Sequence, residues 1–398
     1  MPALEGIRVI DLTQYEAGTS CTETLAFLGA DVIKVESPKG GEPGRRLLSD
    51  NPDADAPYFI LLNASKRGVT IDLKTEKGRQ ILTDLIREGD VIVENFAPGG
   101  LEKLGFTWET IREINPRIIY ATVKGFGTYG PRADFLSFDP IAQAAGGGIS
   151  TTGYLDGAPQ KPGPTVGDTG TGIHAALGIL GAIIQRETTG RGQKVEVSMQ
   201  DAVLNITRVG LREYYDTGKP PRRRGNGVTA SGPTWLYPCA PGGPNDYVYI
   251  YPSNDEMWEA LLGVIGREDL RGDERFRGRA GRGRQGQVID ELISTWTRTQ
   301  TKYQAMDKAA QAGIPAGAVL DTQEMLTNEQ VLAREMMVTI DHPQRGKVTI
   351  TGCPIKLSDS PPVIGPAPLL GQHNAEVFAE VFGWTGEDIE RLRADGVI

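Results

Sequence analysis

Two rhythms of apolar and polar positions alternate along the first third of the chain. Residues 7–12 are an apolar, β-branched run of strand length, residues 19–28 have helical composition, and residues 31–36 read as a second strand. The alternation continues with a helix at 78–88, a strand at 90–94, a helix at 107–114 and a strand at 118–123. Strands separated by helices predict a parallel, doubly wound, Rossmann-like sheet. Residues 169–186 form a strongly apolar helix with little polar face, which is expected to lie buried. A strand at 194–199 and a helix at 201–215 follow.

Near Pro220 the texture changes. The stretch PPRRRGNGVTASGP is turn-rich and basic, as a linker would be. Beyond it, a strand at 247–251 and helices at 256–265 and 288–297 predict a smaller α+β domain. The expected division is a large α/β domain over 1–220, a linker and small domain over 221–320, and a segment over 321–398 that returns to the large domain. No internal repeat is visible.

Composition narrows the classes. The 398 residues are 39% hydrophobic and 23% charged, which is ordinary for a globular protein. A net charge of -9 argues against nucleic acid as the main partner, although a local Lys/Arg cluster can still hold phosphates. The opening MPALEGIRVIDL lacks the pattern of a signal peptide, and no run approaches 18 uninterrupted apolar residues. Cys21, Cys239 and Cys353 are far apart and odd in number, which suits reduced thiols. The expected address is the cytoplasm, where the sequons at Asn63 and Asn205 have no use.

Common chemical motifs give little. The run GFGTYG at 125–130 matches a dinucleotide fingerprint, but Pro131 and charged residues follow where a helix is required, so it reads as a plain turn. There is no Walker A loop, no nucleophile elbow and no Cys/His cluster at metal spacing, so no metal site is expected. The histidines His174, His342 and His373 do not group, and His174 reads as a core residue. The arginine-rich stretch 275–284 reads as solvated surface. Asp168 precedes a helix, where its side chain can cap free N–H groups while the helix dipole favours the charged form. That effect is worth up to about 2 kcal/mol, roughly 1.5 pKa units. On residues alone, a helix cap is a sufficient reason for Asp168.

Several stretches together carry more: LEGIRVIDLT, FLGADVIKVE, LNASKRGVTIDLKTEKG, VIVENFAPGGLEKLGF, NPRIIYATVKGFG, TVGDTGTGIHAALGILGAI and GRGQKVEVSMQDAVLN, then residues 313–319 and APLLGQHN. In this order they resemble the class III coenzyme A-transferase family, the carnitine and formyl-CoA transferase group. The likeness implies that coenzyme A (CoA) is moved from an acyl-CoA donor to a carboxylic acid, with no tightly bound cofactor. It aligns Asp168 with the family's nucleophilic aspartate, which forms acyl anhydrides and a CoA thioester in turn. It further implies a homodimer of interlocked rings. Covalent catalysis of this kind divides one exchange into comparable acyl transfers, in a site that must exclude water.

The resemblance also places CoA contacts at Glu16, Ala17, Ile71, Asp72, Leu73, Lys74, Asn95, Phe96, Ala97, Lys103, Phe138 and Asp139. Lys103 stands where the formyl-CoA enzymes carry arginine, which keeps the charge but loses the bidentate fork. Within the family, SMQDAVLN and TTGYLDGAP are most similar to the formyl-CoA:oxalate transferases. Three positions depart from them: Glu16 replaces glutamine, Leu47 tryptophan and Phe138 tyrosine. Their tetraglycine loop is replaced by the shorter stretch 225–233, whose Gly225, Gly227 and Gly232 are substrate-side candidates. These departures point away from oxalate and toward a larger carboxylic or dicarboxylic acid. The family's 2-methylacyl-CoA racemases use a histidine before an aspartate; here Ser137-Phe138-Asp139-Pro140 offers none, so one base is missing. A non-catalytic acyl-CoA-binding protein would show a degraded nucleophile motif, whereas Gly167-Asp168 is intact.

Overall fold

Strand residues facing alternately to either side allow helices to cover both faces of one sheet. The computed structural model describes residues 1–227 and 233–398. Strands β1 (Arg8–Asp11), β2 (Asp31–Glu36), β3 (Arg67–Thr70), β4 (Val91–Glu94), β5 (Ile119–Lys124) and β6 (Lys194–Ser198) form a sheet of order β3-β2-β1-β4-β5-β6. Every neighbouring pair is parallel. Ile10, Leu12 and Ile92 pack on one face with Ile81, Leu82 and Leu85 of helix α2 (Glu76–Glu88) and Ile111 of α3 (Trp108–Ile114). Val9, Val91 and Val93 pack on the other with Cys21 and Leu25 of α1 (Ala17–Phe27) and Ala175, Ala176 and Ile179 of α5 (Thr169–Thr189). The short α4 (Asp139–Ala145) precedes α5, and α6 (Met199–Thr207) follows β6. The expected doubly wound parallel sheet is therefore present.

The chain divides into two compact units, one of residues 1–151, 160–221 and 333–398, the other of residues 152–159 and 222–332. In the second, β7 (Trp235–Pro238), β8 (Tyr247–Ile250) and β9 (Ala316–Ala318) form an antiparallel sheet. Helices α7 (Asp255–Val264), α8 (Gly286–Thr297) and α9 (Lys302–Gln311) pack around it through Trp258, Leu261, Ile293 and Ala305.

The structure departs from the sequence pattern in three places. Strand β3 has the composition Arg-Gly-Val-Thr and no apolar run. It is an edge strand held by β2 and by the C-terminal segment, where Gly68 N–H donates to His373 Nδ1 at 3.0 Å and Thr70 N–H to Asn374 Oδ1 at 2.8 Å. Such cover protects an edge from further pairing. The helix expected over 201–215 is broken by a 3₁₀ turn at Arg208–Gly210. Helix α5 is buried on one face only: Ala176 and Ile179 are enclosed, but Ile173, Leu177 and Ile184 are 49%, 62% and 72% exposed in the single chain.

Candidate active site

A parallel sheet whose strand order reverses between β1 and β4 leaves a crevice beyond the carboxyl ends of those strands. A cleft of about 330 Å³ opens there, lined by residues 14–17 after β1, 95–98 after β4 and 123–125 at the end of β5. Residues 135–138, Asp168 and Met199 complete its wall.

The β1–α1 loop is fixed before any ligand arrives. Asn95 clamps it, accepting from Gln14 N–H through Oδ1 and donating through Nδ2 to the Gln14 carbonyl, both at 2.8 Å. Tyr15 N–H donates to Glu42 Oε2 at 2.9 Å, and Lys34 Nζ donates to the Thr13 carbonyl at 2.9 Å. These bonds hold Tyr15 at φ 57°, a left-handed conformation costing a non-glycine residue about 1–2 kcal/mol. Its ring meets Phe138 edge-on, with centroids 5.9 Å apart. Glu16 is thereby turned toward the start of α5, where the hydroxyls of Thr165 and Thr169 both donate to Glu16 Oε1, the second at 2.8 Å.

Asp168 occupies the cap position of α5, but its side chain makes no cap hydrogen bond. The expected capping, and with it the expected support for the charged form, is absent. Burial, then the charges of Glu16 and Asp139, push its carboxyl up to about 7, while Lys161 opposes them. The preceding Gly167 is anchored by Asp139, whose Oδ1 accepts from Gly167 N–H at 2.9 Å and whose carboxylate also accepts from Gln143. A Cβ on Gly167 would stand 2.7 Å from the Asp139 carbonyl oxygen, so only glycine permits this approach. The result is a half-buried, hydrogen-bond-poor carboxyl held rigidly at a cleft.

A second cleft of about 190 Å³ shares Gln14 and Phe96 with the first. It gathers Ile71, Asp72, Leu73 and Lys74 after β3 with Leu12, Val35 and Leu104. Of the other expected contact residues, Glu16, Ala17, Asn95, Phe96, Ala97 and Phe138 line the first cleft together with Asp168. Asn95 spends its side chain on the loop clamp, and Asp139 is buried beneath Gly167. Lys103 is exposed and lines neither cleft, nor does Leu47, at 36% exposure. Gly225 and Gly227 belong to the second unit, where they pack closely on Tyr154 and Trp235. Gly232 lies outside the described residues.

Sequence reasoning missed three participants. Lys124 lines the first cleft and is held by Glu94 Oε2 and the Phe96 carbonyl, both at 2.7 Å. Tyr58 is raised by burial and then by the charges of Glu16 and Asp168, which puts a protonated phenol beside the carboxylates. Lys161, at 3.3 Å from Asp139 Oδ2, is a cation whose charge opposes this acidic group of side chains. Only the apolar-strand-to-Lys124 transition gave any signal, and it carried no chemistry by itself. Among the described residues, no group of His, Cys, Asp and Glu is placed to hold a metal ion.

A doubly wound sheet with a half-buried acid at its crevice is an α/β fold with a candidate small-ligand site. Known proteins make that specific. Residues 4–374 match the model of CoA-transferase family III, and the chain belongs to that family. Relatives include formyl-CoA:oxalate CoA-transferases of Streptomyces avermitilis, 47% identical over 100% of this chain and 99% of that protein, and of Rhodopseudomonas palustris, 40% identical over 100% and 97%. Among solved structures, a CAIB/BAIF family protein of Brucella suis is similar at 33% identity and a TM-score of 0.84, covering 94% of this chain and 98% of its own. The chain is thus a CoA-transferase by family.

Proposed function

We propose that this chain transfers CoA between carboxylic acids through covalent intermediates on Asp168. A carboxylate oxygen of Asp168 attacks the donor thioester carbonyl, the C–S bond breaks, and CoA leaves as thiolate from an aspartyl–acyl anhydride. The thiolate then attacks the aspartyl carbonyl, giving an Asp168–CoA thioester and the free donor acid. The acceptor carboxylate reverses both steps and departs as the new thioester. The observation that carries this reading is Asp168 itself, uncapped at the start of α5 and facing the cleft. A carboxyl with few hydrogen-bond donors is a better nucleophile once ionised than one that is fully solvated.

The clefts accommodate the ligand in this reading. Lys74 at the smaller cleft suits a phosphate, and the exposed Phe135, Leu136 and Phe138 suit the apolar pantetheine arm. The exposed apolar side chains of α5 suit burial in a homodimer, whose rings interlock in the family's manner. The protein acts in the cytoplasm; no described helix is long and apolar enough to cross a membrane.

The acceptor in this proposal is a larger carboxylic or dicarboxylic acid, because Glu16 at the cleft repels a compact dianion. Like charges about 4 Å apart at an effective dielectric near 20 repel by roughly 4 kcal/mol. A second reading is transfer from formyl-CoA to oxalate, which the names of relatives at 40–47% identity favour. Specificity constants for oxalate and for four- and five-carbon diacids with one donor separate the two. Oxalate as best acceptor selects the second. For the mechanism, incubation with acyl-CoA should add the mass of CoA to the peptide containing Asp168, removable by hydroxylamine. Asp168→Ala transferring CoA at the wild-type rate would overturn it.

A further inference from the structure

Glu16 and Asp168 are two carboxylates of one cleft, and the fold keeps them together. Glu16 is not a swinging surface acid: Thr165 and Thr169, three residues before Asp168 and one after it, both donate to its Oε1. Its backbone is fixed by the clamped loop that precedes it. We infer that Glu16 is a positioning residue that drives Asp168 toward acylation, because its charge repels the free Asp168 carboxylate and loses that repulsion when Asp168 carries CoA. This inference rests on Asp168 being the nucleophile.

The charge balance is explicit. Aspartate carboxylate and acyl-CoA become the aspartyl–CoA thioester and the free donor carboxylate, so one negative charge leaves Asp168 with the released acid. Repulsion present before the exchange and absent after it favours the thioester. The same repulsion makes Asp168 harder to ionise, so nucleophilic enzyme appears only at higher pH. Other groups facing Asp168 do not cancel the effect. Asp139, from the start of α4, adds to it; Lys161 opposes it but is paired with Asp139. Tyr58 is a protonated phenol there. Lys124 is already bound to Glu94 and the Phe96 carbonyl. His174, nearly two turns along α5, is engaged with the Gly170 carbonyl and Asn205.

The test is Glu16→Gln, which keeps the shape and an acceptor for the threonines but removes the charge. Two readouts are needed: the pH midpoint of kcat/KM, and the ratio of thioester to free enzyme, measured by intact mass at fixed acyl-CoA and free acid. The midpoint should fall by about one unit and the ratio by about tenfold, since one pKa unit corresponds to a tenfold change. A variant with wild-type melting temperature and neither change overturns the inference, as does lower activity with an unmoved midpoint. If Glu16→Gln does not fold, the double variant Thr165→Val/Thr169→Val, which removes both hydroxyls that hold the carboxylate, should move both readouts in the same direction, and unmoved values there overturn it equally. Activity retained in Asp168→Ala would instead remove the nucleophile reading beneath it, a separate and distinguishable result.

Discussion

Asp11 and Asp168 are aspartates of the same sheet unit, one at the end of β1 and one at the start of α5, and their surroundings are opposite. Asp11 is fully buried, which alone would raise its carboxyl; Lys66, Lys34 and the hydroxyls of Thr13 and Thr22 outweigh burial and bring it to about 2. Its Oδ2 accepts from Lys66 Nζ at 3.0 Å and Thr22 Oγ1 at 2.7 Å, and its Oδ1 from Thr13 N–H at 2.8 Å. Asp168 is less buried, yet it lies among carboxylates, lacks a cap bond and is pushed up to about 7. The difference teaches that burial alone does not set a carboxyl's proton affinity. What matters is whether the fold supplies partners for its charge: a paired acid holds loops, and an unpaired one is available to a substrate.

The linkage signs differ accordingly. Asp11 binds its proton more weakly in the folded state, so its contribution to stability is present above about pH 4 and is lost as pH falls toward 2. Asp168 binds its proton more tightly when folded, so stability falls as pH rises from about 4 to about 7.

The sharpest way to break this comparison is Asp11→Asn, which leaves Lys66 buried without its counter-charge. A loss of about 3–5 kcal/mol in urea unfolding is expected; a loss under about 1 kcal/mol would make Asp11 no better supported than Asp168. Asp168→Asn should do the reverse. It should lower CoA transfer at least roughly a thousandfold while stabilising the protein by about 1–3 kcal/mol at pH 8, a range discounted for partial solvent exposure. That gain should shrink at pH 5 and vanish only below about pH 4, where the carboxyl is protonated in the folded and unfolded chain alike; an equal gain at all pH values would point to packing rather than charge. In the intact enzyme, kcat/KM should fall about tenfold per pH unit well below about pH 7, as the ionised fraction of Asp168 declines. A profile flat from pH 5 to 8 contradicts the raised carboxyl. The smallest effect belongs to the neutral clamp between loops. Asn95→Ala removes two hydrogen bonds and should raise KM for acyl-CoA severalfold, at a stability cost of about 1–2 kcal/mol. An unchanged KM would show that Gln14 is held well enough without it.

The pattern of apolar positions was sufficient for β1, α1, β2 and the succession of helices and strands to β6, because each of those segments carries its own period. It did not reveal β3, whose Arg-Gly-Val-Thr sequence is a strand only because β2 and residues 373–374 supply its hydrogen bonds. It overestimated the burial of α5, since a helix apolar on every side signals contact without saying with what. Motif resemblance singled out Asp168 and a minority of the other residues that line the two clefts. It also suggested Leu47 and Lys103, which line neither.

The electrostatic character of the site followed a different logic. Reading Asp168 beside a helix start suggested a capped, stabilised carboxylate; its φ of -88° and ψ of -73° leave the side chain without a cap bond. Glu16 is 149 residues from Thr165 and 153 from Thr169, and Asp139 is 28 from Gly167. By itself the sequence determined the class of fold and the family, and singled out the residue proposed as the centre of the chemistry, since these rest on local periodicity and on the order of short motifs. Only the tertiary structure decided which acid would be paired and which left exposed to its own kind, because that depends on distances between charges far apart along the chain, and Coulomb interactions act through space.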